Sequence, residues 1–417
     1  MKGPIARSTL LTTLVFGLRL VLQASTLLLV ARLLGPHGYG AFAGAAALAV
    51  FLGALAALGM PLMLMRAVAR EPEQGRRVLR YALPTVACGG GVIMLAYLLG
   101  CAWLFPSAEL SLSVLLAVGG AEIIVQPLLL LCAAEWHGRG AVAGAQLLQV
   151  SPLMLRLACA VAVMAWAPQS ALLAYAIGYL AASVLVFGVA ISLAMQPLPR
   201  WGEWHWPPRR ELGEALGFAA TELSRNGPTE LDKALAASWL PANAAGLYAV
   251  ASRMMAAVVL PVMAMVVSAL PRLFRDNATT RSGSRRLILW MSGVALSYGT
   301  GVGILLWAAA PWLDELLGPE YRGVGAVVRT LCWVVPGLSL RLVFGSILMA
   351  RGAAWTRVGF EVAGLLTLVL VGAALVPERG PVGLPIALIC AEYAMALAGG
   401  VMVVRASLSR PFRDRMA

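Results

Sequence analysis

Apolar residues run almost unbroken for about twenty positions at a time, separated by short stretches that hold most of the charge. The hydrocarbon core of a bilayer is about 30 Å thick, and about 20 apolar helical residues cross it. A window of that length marks twelve stretches: 9–31, 39–64, 81–104, 110–134, 146–166, 171–195, 216–239, 245–270, 287–310, 325–350, 358–376 and 384–404. The pattern predicts an all-α integral membrane protein with twelve transmembrane helices. A Pro- and Trp-rich linker, PLPRWGEWHWPPRR at 197–210, divides them into two lobes of six, residues 1–199 and 200–417.

The seventh stretch breaks the pattern. Glu222, Arg225, Asn226, Glu230, Asp232 and Lys233 lie inside it, together with Gly227-Pro228. At 100° per residue these six side chains share an arc of about 160°, leaving Leu223, Leu231 and Leu235 for the other face. A charge at the bilayer centre costs about 2.5–3.5 kcal/mol on insertion scales, so this face turns to protein or water. The segment reads as a polar-faced helix, broken at Pro228, that lines a central cavity between the lobes.

Composition confirms the class. Hydrophobic residues make up 60% of the 417 positions and charged residues 12%, against about 25% charged in soluble proteins. The net charge of +13 would suggest nucleic acid in a soluble chain, but its placement gives another reason. Of the lysines and arginines outside the spans, 22 fall on the side of the N-terminus and three, Arg32, Arg322 and Arg379, on the other. That asymmetry sets both termini in the cytoplasm and assigns most of the charge to topology and anionic lipid, not nucleic acid. Lys2 and Arg7 precede an apolar run too long for a cleaved signal, so the first helix is retained.

Charges inside the spans are the candidate chemistry: Arg19, Arg156, Arg225, Lys233, Arg253, Arg329 and Arg341, with Glu122, Glu222, Glu230, Asp232, Glu361 and Glu392. If all faced lipid they would cost on the order of 40 kcal/mol; they pair, or they share a hydrated interior. Arg19 with Gln23, Arg156, Arg225 with Asn226, Lys233, Arg253, Arg329 and Arg341 are candidates for an anionic substrate. Glu122, Glu222, Glu230 and Asp232 are candidates for ion coupling. The bland alternative for the cluster from Glu222 to Lys233 is a set of self-neutralising ion pairs that lock the two lobes. Likewise Arg19 would tie to the seventh or eighth helix, Glu122 would pair with Arg156, Arg329 and Arg341 would take cross-helix partners, and Glu361 and Glu392 would be structural.

Other chemistry is excluded or unsupported. Neither lysine follows a glycine, so there is no P-loop, and no G-x-S-x-G or H-E-x-x-H occurs. Six scattered cysteines without a CxxC pair and three scattered histidines imply no disulfide, metal or cofactor. Loops on the side away from the termini are too short for a sizeable catalytic domain. The two halves carry a related motif: LGPHGYGAFA at 34–43 aligns with LPANAAGLYA at 240–249, at an offset of 206. Six spans per half give both copies one orientation.

The segments ARLLGPHGYGAFA (31–43), ELDKALAASWLPANAAGLYAVASRMM (230–255) and ALPRLF (269–274) resemble Wzx-type oligosaccharide flippases. So do LLGPEYRGVGAVVRTLCWVVPGLSLRLVFGSILMARG (316–352) and GPVGLPIAL (380–388). These flippases belong to the multidrug/oligosaccharidyl-lipid/polysaccharide exporter superfamily. The resemblance implies a two-lobed, twelve-helix transporter of the bacterial inner membrane, not an enzyme. It would move undecaprenyl-pyrophosphate-linked oligosaccharide from the cytoplasmic to the periplasmic leaflet by alternating access, for O-antigen, lipopolysaccharide, capsule or exopolysaccharide assembly. Implied partners are membrane lipids, the polysaccharide polymerase and chain-length regulator, and H⁺ or Na⁺ if transport is coupled. At 417 residues the chain lacks the two extra helices of the lipid II flippase branch. A cation-coupled multidrug exporter of the same superfamily and a membrane polymerase or ligase remain as alternatives.

Overall fold

The computed structural model describes residues 4–106, 110–194, 198–266, 269, 281–351 and 353–408. Among them every regular element is helical. Lys2, the arginines expected in the connections at 272 and 275, those of the tail at 410, 413 and 415, and most of the ALPRLF segment lie outside the described residues.

The first two expected spans form one element, α1 (Pro4–Ala56), bent at Gly35 with φ 63° and ψ 170°. Only glycine enters that region freely, and Pro36 then opens the next helix, where a missing N–H costs nothing. A left-handed turn at Leu58 and Gly59 ends α1, so the second span stops earlier than expected. The short α2 (Met60–Arg70) follows. Then come α3 (Gln74–Leu104), α4 (Leu112–Gly119), a π-turn at Gly120–Val125, and α5 (Gln126–Gly138). The run continues through α6 (Val142–Trp166), α7 (Ala171–Ala194), α8 (Arg209–Trp239) and α9 (Ala242–Val258). It closes with α10 (Arg281–Leu317), α11 (Val324–Leu331), α12 (Val334–Ala350), α13 (Ala354–Arg379) and α14 (Gly383–Leu408).

Among the described residues eight helical stretches are long and apolar enough to cross a membrane, and nine with the α11–α12 pair, bent by 44°. Two of them, Gly17–Ala56 (40 residues) and Trp355–Arg405 (51 residues), are each twice the length one crossing needs. With α8, whose charge disguises it, they restore the twelve spans. Exposed tryptophans mark the ends: Trp103, Trp166 and Trp312 close α3, α6 and α10, while Trp290 and Trp355 lie near the starts of α10 and α13. With strictly alternating spans these fall into two belts, as amphipathic rings do at the two interfaces.

The chain forms two compact units, residues 1–226 with 233–249, and 227–232 with 250–417. The expected divide lay in the 197–210 linker, but most of α8 and the first turns of α9 belong with the first unit. Backbone proximity holds them there. A side chain on Gly59 would meet the Ala215 carbonyl and Phe218, and one on Gly44 would meet Ala237. The two copies of the repeat also seat on each other. A Cβ on Gly40 would lie 2.7 Å from the Ala242 carbonyl and the Gly246 N, and a Cβ on Gly246 would strike the Pro36 carbonyl. The offset of 206 maps Pro36 onto Ala242 and Gly40 onto Gly246, so the contact is reciprocal. In the second unit α10 and α11 pack together, α12 lies on α10, and α14 lies along α12 and α13. Glycine again sets the distance, with Gly299 on Pro336 and Gly364 on Met395.

Gly246→Val forces carbon into a backbone carbonyl, an overpacking cost of about 1–3 kcal/mol or more. Thermal unfolding in detergent should show a clear loss of stability for it. Gly202→Val, with nothing near its Cβ, serves as the matched control and should melt with the wild type.

Candidate functional site

α8 carries the polar face read from the sequence, but Gly227-Pro228 does not interrupt it. The helix is continuous from Arg209 to Trp239 with Pro228 inside, which corrects the expected break. Pro228 has no N–H for the Ser224 carbonyl, and the Ser224 hydroxyl donates to the Thr221 carbonyl at 3.1 Å. Asp232 and Lys233 are buried, while Glu222, Asn226 and Glu230 are half-buried. None of these five stands without a partner. Asp232 accepts from the Ser252 hydroxyl of α9 at 2.6 Å. Arg225 lies in the helix, and its side chain is outside the described residues. Arg19 and Gln23 are half-buried on the front part of α1, and Arg253 is half-buried on α9.

A buried cluster in the first unit brings Glu122 and Arg156 together. Arg156 lies 2.9 Å from the Glu122 carboxylate and donates to Ser183 Oγ at 2.7 Å. The Tyr179 hydroxyl donates to the same carboxylate at 2.5 Å, and the guanidinium stacks 3.5 Å above the Tyr179 ring. Phe42 and Tyr175 close the aromatic side. Glu122 sits on the π-turn, where Gln126 N–H bonds to the Ala121 carbonyl five residues back. Pro127 explains the widening: it has no N–H to donate to the Ile123 carbonyl, and its ring would crowd that oxygen in a tight α-turn. Gly53 on α1 leaves room for the Glu122 carbonyl.

A second cluster holds Arg341. Its Nε donates to Glu392 at 2.7 Å, and its other arm lies 3.7 Å from Glu361. All three are 1% exposed. Arg357, which the sequence placed in a loop, is buried one turn before Glu361 and donates to it at 3.0 Å. Two arginines thus face two glutamates, with Asp232 close enough to act on Glu392. Arg329 faces outward on α11 over the Trp307 ring, 5.3 Å from its centroid. Glu122, Arg156, Arg341, Glu361 and Glu392 are thus paired, as charge in an apolar interior must be. Arg357 and Glu361 stand at i, i+4 in the sequence, with Arg357 just ahead of the apolar stretch 358–376.

Among the described residues no group of three or more His, Cys, Asp and Glu side chains could hold a metal ion. All six cysteines are free thiols. Removing one partner of a buried pair leaves the other charge uncompensated, at about 3–5 kcal/mol. Glu122→Ala should therefore lower thermal stability strongly. The double variant Glu122→Leu with Arg156→Met should recover most of the loss. Equal melting of Glu122→Ala and wild type would show that the pair contributes nothing.

The fold is shared with transporters of known structure. An inward-facing multidrug resistance MATE family transporter of the MOP superfamily is 16% identical, with a TM-score of 0.72 over 95% of this chain and 96% of that one. The lipid II flippase MurJ, in an inward closed conformation, is 14% identical, with a TM-score of 0.70 over 97% of this chain and 89% of that one. A MOP superfamily transporter from Pyrococcus furiosus, reported with a binding pocket of reversed polarity, is 14% identical, with a TM-score of 0.69 over 98% and 97%. No curated protein sequence matches the chain. Residues 5–276, well over half of the 417, match the family described as polysaccharide biosynthesis protein, and the chain belongs to that family.

Proposed function

We propose that this protein is a flippase that moves an undecaprenyl-pyrophosphate-linked oligosaccharide from the cytoplasmic to the periplasmic leaflet of the bacterial inner membrane. The reading rests on one observation: a helix with six charged or amide side chains on one arc, α8, stands in a transporter fold of a polysaccharide biosynthesis family. Such a cargo needs a polar route for its sugar head and diphosphate while the prenyl tail stays in lipid. Arginine suits that task because its planar fork matches phosphate oxygens two at a time. The candidate cargo-handling residues are Arg19, Gln23, Arg225, Asn226, Lys233 and Arg253, along with Arg156, Arg329 and Arg341. An inside-negative potential favours outward movement of anionic charge by about 2.3 kcal/mol per charge per 100 mV. Glu222, Glu230 and Asp232 are the groups through which H⁺ or Na⁺ exchange would be added.

Deleting the gene should remove surface polysaccharide and leave its lipid-linked repeat unit accumulating on the cytoplasmic face. Unchanged surface glycan with altered drug sensitivity would instead support the multidrug exporter. Arg19→Ala and Arg225→Ala should each lower export about ten- to a hundredfold, the range set by losing a hydrogen bond to a charged group, at normal protein level. Full export from both would remove them from the site.

A further inference from the structure

The segment between α7 and α8 is fixed to the molecule and presents two kinds of side chain outward. Glu203 bridges two arginines of α3, with Arg76 at 3.1 Å and Arg80 at 3.0 Å. The His205 backbone N–H donates to the Arg80 carbonyl at 3.3 Å, and the His205 ring lies against Tyr81. These anchors set its height. Arg80 is the last charge on α3, and the helix carries none from Tyr81 to Leu104. The segment thus lies where α3 passes from polar surroundings into hydrocarbon, the headgroup layer. Trp201 stacks on Trp204 at 5.1 Å with planes 8° apart, yet Trp201 is 83% exposed and Trp206 67%. Arg200, Arg209 and Arg210 are exposed beside them, and no described acid lies within ion-pair distance of any of the three. Arg66, by contrast, pairs with Glu214, and Arg76 and Arg80 share Glu203.

Three uncompensated cations interleaved with two exposed indoles at headgroup depth match one surface chemistry. We propose that residues 198–210 form a docking surface for anionic phospholipid headgroups of the leaflet on the side of the chain termini. The indole rings would seat at the interface, while the arginines meet the phosphates in bidentate fashion. Each arginine contributes an attraction of about 1 kcal/mol near an anionic leaflet, or about fivefold in occupancy. The surface is independent of what the protein carries.

The test places an environment-sensitive NBD probe on Gly202→Cys in a variant whose six native cysteines are replaced. The labelled protein is reconstituted in nanodiscs of phosphatidylcholine alone or with a third phosphatidylglycerol. The expected result is blue-shifted emission and at least fivefold lower quenching by iodide when phosphatidylglycerol is present. Neutralising Arg200, Arg209 and Arg210 to Gln should abolish that difference. Trp201→Ala with Trp206→Ala should weaken the blue shift in both membranes. Equal iodide access in the two membranes means the surface is open to a soluble partner and overturns the proposal. If the cysteine-free variant does not fold, native mass spectrometry of the otherwise unaltered protein separates the same outcomes. Wild type should retain more phosphatidylglycerol than the triple Gln variant, and equal retention overturns the proposal.

Discussion

A charge buried among hydrocarbon must find its counterpart inside the protein, and this constraint orders the molecule. Arg156 with Glu122, and Arg341 and Arg357 with Glu392 and Glu361, satisfy it by direct contact within one unit each. Such pairs add little net stability compared with well-packed apolar side chains, but removing half of one is severe. They fix which helix faces inward: α6 toward the π-turn, and α12 and α13 toward α14. The charges of α8 obey the same rule: Asp232 accepts from the Ser252 hydroxyl, and Glu222, Asn226, Glu230 and Lys233 each have a partner.

Close backbone approach is the second organising interaction. Apolar side chains give little preference for one helix neighbour over another in lipid, so packing depends on small residues that let backbones meet. Gly44, Gly53, Gly59, Gly299 and Gly364 stand at such points. Where proline removes a backbone donor, as at Pro127, the helix widens instead of breaking. Pro228 shows the milder outcome, since α8 passes through it intact.

Twelve spans were legible because each is as long as a bilayer is thick, and α8 because its polar face repeats with helical period. The repeat was legible from LGPHGYG and LPANAAG, and the structure gives it a purpose in the reciprocal contact of Gly40 and Gly246. What stayed hidden were partnerships across distance. Nothing in the sequence near Arg341 reveals that Glu392, 51 positions on, lies against it. The π-turn was hidden for a related reason, since its cause is divided between Pro127 and a glycine on another helix. Arg357 looked like a loop residue because positive charge near a span end satisfies the topology rule equally well from a buried helix.

A patch that seats on a copy of itself is what a symmetric dimer requires. Here Pro36 with Gly40 and Ala242 with Gly246 are the two copies, and one polypeptide carries both. Tethering turns a meeting of molecules into an intramolecular event at high effective concentration. The backbone seam at Gly40 and Gly246 can therefore form in one chain without the area that a stable interface between separate chains needs.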